Sequence, residues 1–144
     1  MKKKFLLFSL FAIFLLTGFA IANKVNPTMQ DEIKYYEKLK NCIPSKISNG
    51  SIMFQTYGKQ GRMCSFEMKE KDPITNKFIS NCRVLAPIDA TKAFADRKIQ
   101  FVQNMAKYSD KRNKPDEKAL VKDMDYLLNY IKYVNEFATK YCQK

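Results

Sequence analysis

Apolar residues recur with two different spacings along this chain, and each spacing predicts one kind of element. A spacing of three or four residues gives a helix one apolar side, and strict alternation gives a strand one apolar side. Three stretches have the helical spacing, and three are rich in β-formers or alternate. The predicted helices cover residues 28–41, 90–108 and 115–141, and the predicted strands cover residues 51–57, 62–69 and 77–85.

Turn-forming residues lie between the predicted strands. The sequence Gly58-Lys59-Gln60-Gly61 predicts one hairpin turn, and residues 72–76, with Asp72 and Pro73, predict a second. Short turns join strands that are antiparallel neighbours. We therefore expect an α+β fold in the order α-β-β-β-α-α, with the helices packed on one face of a three-stranded antiparallel meander.

The last predicted helix has an apolar stripe at steps of four and three residues. Its members are Leu120, Met124, Leu127, Ile131, Val134, Ala138 and Tyr141. Val121, Leu128 and Phe137 widen this side beyond the two positions per heptad that a coiled coil needs. We therefore expect the stripe to pack against the core of the same chain, and a coiled-coil dimer is the alternative.

The first 22 residues have the three-part pattern of a secretory signal peptide. Three lysines at positions 2–4 precede an apolar run from Phe5 to Leu16, and an Ala-Ile-Ala sequence at 20–22 supplies the small residues of a cleavage site. We predict cleavage before Asn23, which leaves a single domain at residues 23–144, in the periplasm or otherwise secreted. The alternative is an uncleaved membrane anchor, because the apolar stretch is just long enough to span a bilayer.

Four cysteines follow the predicted signal peptide, namely Cys42, Cys64, Cys82 and Cys142. An even number of cysteines in an exported chain predicts two disulfides. The alternative is a zinc site built from all four thiolates. Such sites usually contain Cys-x-x-Cys pairs, whereas the intervals here are 22, 18 and 60 residues.

The predicted hairpin favours one way of pairing these cysteines. Placing residue 69 opposite residue 77 brings Cys64 opposite Cys82, where two side chains are close enough to bridge. The remaining pair, Cys42 and Cys142, would then join the ends of the first and last helices. The pairing Cys42–Cys64 with Cys82–Cys142 stays open as an alternative.

The composition indicates a basic protein and removes several kinds of catalysis. The net charge is +12, and three of these positive charges lie in residues 1–22, so +9 remains after cleavage. Such a charge attracts anionic partners, although scattered basic residues are also typical of a solvated surface. Histidine is absent, which excludes Ser-His and Cys-His pairs. We expect no catalytic residues, no metal site and no cofactor.

Two groups of residues are candidates for contact with a partner. The first group, at the Gly58–Gly61 turn, is Tyr57, Lys59 and Arg62. The second group, on one side of the last helix, is Tyr126, Tyr130 and Tyr133, for which packing at the edge of the core is the alternative. We expect a non-enzymatic binding or adaptor protein that acts by protein–protein contact. The alternative is a basic factor that binds an anionic envelope polymer, a lipid surface or nucleic acid.

Three cysteine-containing features of the chain also carry a family resemblance. They are Cys42-Ile43-Pro44 after the first helix, the Gly-rich turn Gly61-Arg62-Met63-Cys64, and Cys82 in a strand. This order resembles that of small uncharacterised exported proteins of proteobacteria over residues 30–87. The resemblance implies export but no known activity.

Overall fold

The computed structural model describes residues 27–49, 51–72, 74–109 and 117–143, and these residues have an α+β fold. The predicted signal peptide at 1–22 and the cleavage point before Asn23 lie outside them. The helices are α1 (Pro27–Lys40), α2 (Ile88–Ser109) and α3 (Glu117–Tyr141). The strands are β1 (Ser45–Asn49), β2 (Ile52–Gln60), β3 (Met63–Lys71), β4 (Phe78–Pro87) and β5 (Cys142–Gln143).

The described strands form one antiparallel sheet in the order β1-β2-β3-β4-β5. The predicted meander corresponds to β2, β3 and β4. The prediction of three strands is wrong because each edge of the sheet has one further strand. The apolar pattern of β1 consists of Ile47 alone, and β5 is two residues long. Neither strand is long or apolar enough to show an alternating pattern.

The β3–β4 hairpin differs from its predicted register by four residues over Met63–Met68 and by three residues near the turn. Cys64 lies opposite Ala86, and Met68 lies opposite Cys82, so the two cysteines are not cross-strand neighbours. Because side chains alternate with a period of two, a shift of four keeps each of these residues on its predicted face. The predicted register also places Phe66, Met68, Phe78 and Val84 on the face of both cysteines. Phe66, Met68 and Val84 are buried, and Phe78, beyond the bulge, is half-buried.

The shift in register comes from the turn and from a bulge. The backbone N–H of Asp72 donates to the carbonyl of Lys77 at 2.9 Å, so the hairpin continues beyond the predicted strand ends. The pairing then slips by one residue between Met68 and Lys69. A bulge of this kind adds an unpaired residue to one strand, which no pattern of apolar residues indicates.

The core lies between one face of the sheet and the three helices. The rings of Phe94 in α2 and Phe137 in α3 stack with their centroids 4.4 Å apart. Phe66 of β3 lies 5.8 Å from Phe94 and 6.3 Å from Phe137. Tyr36 and Leu39 of α1 are each 1% exposed in the same core. These contacts join all three helices to the sheet.

Two disulfides connect the helix ends to the sheet. Cys42, after α1, is bonded to Cys64 in β3, with Cα atoms 5.7 Å apart. Cys82 in β4 is bonded to Cys142 in β5, with Cα atoms 5.4 Å apart. The prediction of two disulfides is confirmed, which excludes the zinc alternative. The predicted pairing Cys64–Cys82 with Cys42–Cys142 is wrong because it depended on the hairpin register.

The end of α1 aims Cys42 at the sheet. The N–H of Cys42 donates to the carbonyl of Leu39 at 2.8 Å, and the N–H of Ile43 donates to that of Lys38 at 3.0 Å. This is the hydrogen-bond pattern of a Schellman motif, whose terminal residue has a left-handed backbone. Cys42 occupies that position with a φ of +52°. The disulfide therefore begins where the chain reverses direction.

Candidate functional site

The face of the sheet opposite the three described helices holds an ordered polar cluster. Its members are Tyr57, Glu67, Lys69, Ser80 and Arg83, and we call it the open-face cluster. The Tyr57 phenol donates a hydrogen bond to Glu67 Oε2, and Lys69 Nζ lies 3.3 Å from the same oxygen. The Arg83 guanidinium lies over the Tyr57 ring, with Cζ 5.1 Å from the ring centroid.

The carboxylate of Glu67 is directed into this cluster rather than outward. Its burial acts to raise the pKa of the carboxyl, but hydrogen bonds from Ser80, Tyr57 and Lys69 outweigh burial and lower the pKa below its ordinary value. Glu67 is 6% exposed, whereas Arg83 is exposed. The charge that the cluster presents to solvent is therefore positive.

The predicted contact residues Tyr57, Lys59 and Arg62 all lie on the β2–β3 hairpin. Tyr57 sits at a bulge, where the pairing shifts between Thr56 and Gly58, and is 37% exposed. Lys59 and Arg62 are exposed at the hairpin end. The structure brings only Tyr57 into the open-face cluster. Sequence reasoning missed the cluster because its other members come together only through the cross-strand register.

The three tyrosines predicted as a patch on α3 differ in exposure. Tyr130 is 5% exposed, and its ring stacks on Phe101 with centroids 4.1 Å apart. Tyr133 is half-buried, with Arg97 Cζ 4.1 Å from its ring centroid. Tyr126 is also half-buried. Burial removes Tyr130 from the predicted contact patch and leaves Tyr126 and Tyr133 at the edge of the core.

The first half of α3 exposes three apolar side chains. Val121, Met124 and Leu128 are 60%, 51% and 59% exposed, and we call them the α3 patch. At about 100° per residue they lie on one side of the helix, turned roughly 130° from the side that faces the core farther along. The α3 patch therefore cannot be covered by the sheet on which α3 packs.

Among the described side chains of the apolar stripe predicted for α3, full burial is confined to the second half of the helix, and the side chain of Leu120 lies outside the described residues. Val134 and Ala138 are buried, Leu127, Ile131 and Tyr141 are half-buried, and Met124 is exposed. Of the residues that widen the stripe, Phe137 is buried, whereas Val121 and Leu128 are exposed. The expectation that the stripe packs against the core is wrong at Met124, because the described core contacts of α3 begin at Tyr126.

A second polar cluster is buried where the three helices meet. Glu32 of α1 is 8% exposed, and Lys98 of α2 is 4% exposed. Lys98 Nζ lies 6.0 Å from the ring centroid of Tyr36, 5.6 Å from that of Phe94 and 5.4 Å from that of Tyr130. The hydroxyls of Tyr36 and Tyr130 are buried without a hydrogen-bond partner among the described residues. The ammonium is thus enclosed by aromatic rings and faces a carboxylate.

Burial shifts the pKa values of both charged groups of this cluster toward 7. It raises the pKa of Glu32 to about 7, although the Lys98 ammonium and the Tyr36 hydroxyl act in the opposite direction. The Tyr36 hydroxyl lowers the pKa of Glu32 as a neighbouring dipole, since it is not in hydrogen-bonding geometry with the carboxylate. Burial lowers the pKa of Lys98 to about 8, and the Glu32 carboxylate opposes that shift. The sequence does contain a signal for this cluster, because Glu32 and Lys98 each lie on the apolar side of their helix. A search for apolar spacing alone does not detect such charged residues.

A small apolar cavity adjoins this buried cluster. Its volume is about 40 Å³, and its lining includes Tyr36, Lys98, Phe66 and Phe137. A pocket for an organic ligand normally has a volume of about 300 Å³ or more, and a single water needs only about 15 Å³. The cavity is therefore a packing gap of the core and too small for an organic ligand.

Metal ligands, membrane-spanning helices and related proteins do not assign a function to the described residues. Among the described residues, no group of three or more Cys, Asp or Glu side chains is arranged to hold a metal ion. None of the helices described is long and apolar enough to cross a membrane. No family model, no curated protein and no solved structure matches this chain.

Proposed function

We propose that this chain is an exported, non-enzymatic binding protein that contacts a partner protein through the α3 patch. The observation that carries this proposal is the exposure of Val121, Met124 and Leu128 side by side on one helix. Single exposed apolar residues are ordinary, whereas aligned ones are typical of protein contacts. Covering them stabilises a complex by about 25 cal/mol for each Å² of apolar surface removed from water.

The two disulfides indicate an oxidising environment outside the cytoplasm. Within that environment we assign the protein to the periplasm, with the signal peptide removed before Asn23. Intact-mass measurement of protein released from the periplasm or the medium tests this assignment. A mass that retains residues 1–22, found in the membrane fraction, would contradict it.

Site-specific photocrosslinking in the native envelope tests the contact through α3. A photoreactive residue replaces Met124 in the patch, and a control replaces Asn129, which is exposed on another side of the helix. We expect a discrete adduct with one protein from position 124 and none from position 129. The adduct at 124 should disappear when Val121→Gln and Leu128→Gln are added.

A matched variant separates the loss of the patch from a general effect on α3. The triple variant Lys122→Gln, Asn129→Gln and Glu136→Gln changes exposed residues of the same helix and leaves its net charge unaltered. We expect the adduct at position 124 to persist in this variant. An adduct that forms equally from positions 124 and 129, or that survives loss of the patch, is inconsistent with the proposed function.

The distribution of charge favours a second candidate function, the binding of an anionic polymer by the sheet. Residues 45–87 contain seven basic and three acidic residues, whereas α1 and α3 each contain equal numbers of both. Binding to a polyanion such as single-stranded DNA at increasing salt tests this candidate, since counterion release makes such binding strongly salt-dependent. We expect Lys46→Gln with Arg83→Gln to weaken binding, and Lys122→Gln with Lys132→Gln in α3 to leave it unchanged.

A further inference from the structure

One edge of the sheet is only partly paired. Strand β4 has ten residues, and its outer neighbour β5 has two, which lie opposite Arg83 and Val84. Among the described strands, none pairs with Phe78–Cys82 on the side away from β3. Because alternate residues of a strand direct their N–H and C=O groups to each edge, this stretch presents unpaired main-chain groups outward. We call it the β4 edge.

The side chains along the β4 edge leave it accessible. Ile79 is 53% exposed, and Ser80 and Asn81 are exposed as well. Residues 78–82 contain no proline, the residue that most directly blocks strand pairing. The bulge beside Asn81 increases the local twist and so favours a short partner strand over a long flat one.

The charges beside the β4 edge indicate which kind of strand it accepts. Lys77 and Arg83 border the stretch, and no acidic residue lies between residues 77 and 87. The nearest carboxylates of β3 are already bound, Glu70 by the Asn81 amide and Glu67 by Tyr57 and Lys69. In a second copy paired antiparallel about Ser80, Lys77 would approach Arg83 of the other copy, and like charges repel. The ladder position opposite Arg83 is also already filled by Gln143 of β5. The complementary partner is an acidic segment.

We propose that the β4 edge binds a short, extended, acidic segment of a partner protein by strand addition. Main-chain hydrogen bonds to Phe78–Cys82 hold the segment, an apolar residue of the segment covers Ile79, and its carboxylates pair with Lys77 and Arg83. In strand addition the main chain supplies affinity and the side chains supply specificity. The inference rests on the proposed function in that the partner is a protein, but it concerns a surface separate from the α3 patch.

A synthetic peptide tests the β4 edge directly on the oxidised mature protein. The probe is a blocked seven-residue peptide that alternates Glu and Val. We expect it to bind and to slow amide hydrogen exchange within residues 78–82. Methylation of alternate peptide nitrogens, which removes donors and keeps the side chains, should weaken binding about tenfold. A peptide with Lys in place of Glu should not bind.

Two substitutions of exposed isoleucines provide a matched pair for the same titration. Ile79→Glu adds a like charge on the β4 edge and should weaken binding of the acidic peptide about fivefold. Ile74→Glu makes the same change in the turn, at a residue that is 91% exposed, and should have little effect. Equal effects, no effect of backbone methylation, or protection at other residues would overturn the inference.

The peptide and the crosslinking experiments can fail separately. The α3 variant Val121→Gln, Met124→Gln and Leu128→Gln should bind the acidic peptide as well as the unaltered chain does. Peptide binding without an adduct at position 124 would overturn the proposed contact through α3 and keep the β4 inference. An adduct at position 124 without peptide binding would support the contact through α3 and overturn the β4 inference.

Discussion

Among single residues, Glu32 and Lys98 make the core sensitive to pH. The folded-state pKa of Glu32, about 7, exceeds the ordinary 4.5, so its contribution to stability is fully present below 4.5 and is lost as the pH rises through 7. The folded-state pKa of Lys98, about 8, is below the ordinary 10.5. Its contribution is present above 10.5 and is lost as the pH falls through 8. The two groups together therefore stabilise the fold least between their folded-state pKa values, about 7 and about 8.

We expect this minimum to appear when the pair is compared with an uncharged replacement. The double variant Glu32→Gln with Lys98→Met keeps the volumes and removes both titrations. The free energy of unfolding, measured in urea over a pH series, should fall relative to that of the double variant as the pH approaches 7 and rise again above 8. A difference that is independent of pH would contradict the two shifted pKa values.

Removing the Lys98 ammonium alone should destabilise the fold only at a pH at which Glu32 is ionised. Lys98→Met leaves a buried carboxylate without its partner, which costs about 3 kcal/mol of stability at a pH above the pKa of Glu32. At a pH well below that value the carboxyl is protonated, and the loss should be small. Urea unfolding of the single variant at both pH values, beside the double variant, measures this. An equal loss at both would mean that Lys98 matters through packing instead.

Among the elements, β2 depends on a glycine where it bends. Gly58 has a φ of +109°, which side chains other than hydrogen rarely allow, and a Cβ there would lie 3.2 Å from Pro44 Cγ. Gly61, in the turn that follows, has a φ of +62°, and a Cβ added there would have no atom within 4 Å. The two glycines therefore differ in the space around them as well as in backbone conformation.

We expect Gly58→Ala to destabilise the protein by about 2 kcal/mol, because it combines backbone strain with a tight contact against Pro44. Gly61→Ala should cost only about 1 kcal/mol, because an alanine there meets strain alone. The midpoints of urea unfolding of the two variants provide the measurement. Losses of equal size would show that Pro44 moves aside without penalty.

The sequence predicts the elements whose patterns are long, and it fails where pairing decides the structure. The bounds of α1, α2 and α3 lie within two residues of their predicted ends, because a helical side repeats several times. The register of the β3–β4 hairpin, and with it the disulfide pairing, depends on a turn and a bulge that have no such pattern. The cluster of Glu32 and Lys98 was missed because sequence patterns assign charged residues to the solvent side.

In the molecule as a whole, the disulfides fix the helical layer to the sheet where α1 ends and where α3 ends. The Cys42–Cys64 bond closes 22 residues and the Cys82–Cys142 bond closes 60. Loop-closure entropy predicts a contribution of about 3 kcal/mol from the first and about 4 kcal/mol from the second.

We expect replacing both cysteines of the longer ring by serine to lower the free energy of unfolding more than the same change in the shorter ring. Thermal or urea unfolding of the two double variants measures the difference, and full reduction of the unaltered chain should exceed either. Peptide mapping without reductant checks the pairing itself. A peptide that joins Cys64 to Cys82 would contradict the structure.

The two disulfide-closed rings follow one another along the chain, and neither encloses the other. In the pairing predicted from the sequence, the small Cys64–Cys82 ring would lie inside the large Cys42–Cys142 ring, and Cys42 could pair only after the last cysteine had emerged. In the arrangement found, a chain that leaves a narrow passage N-terminus first presents Cys42 and Cys64 before any other thiol. Pairing each cysteine with the next free one to emerge then yields both native bonds. Under such sequential pairing, the order of the cysteines along the chain is sufficient to give the correct crosslinks without any later exchange between disulfides.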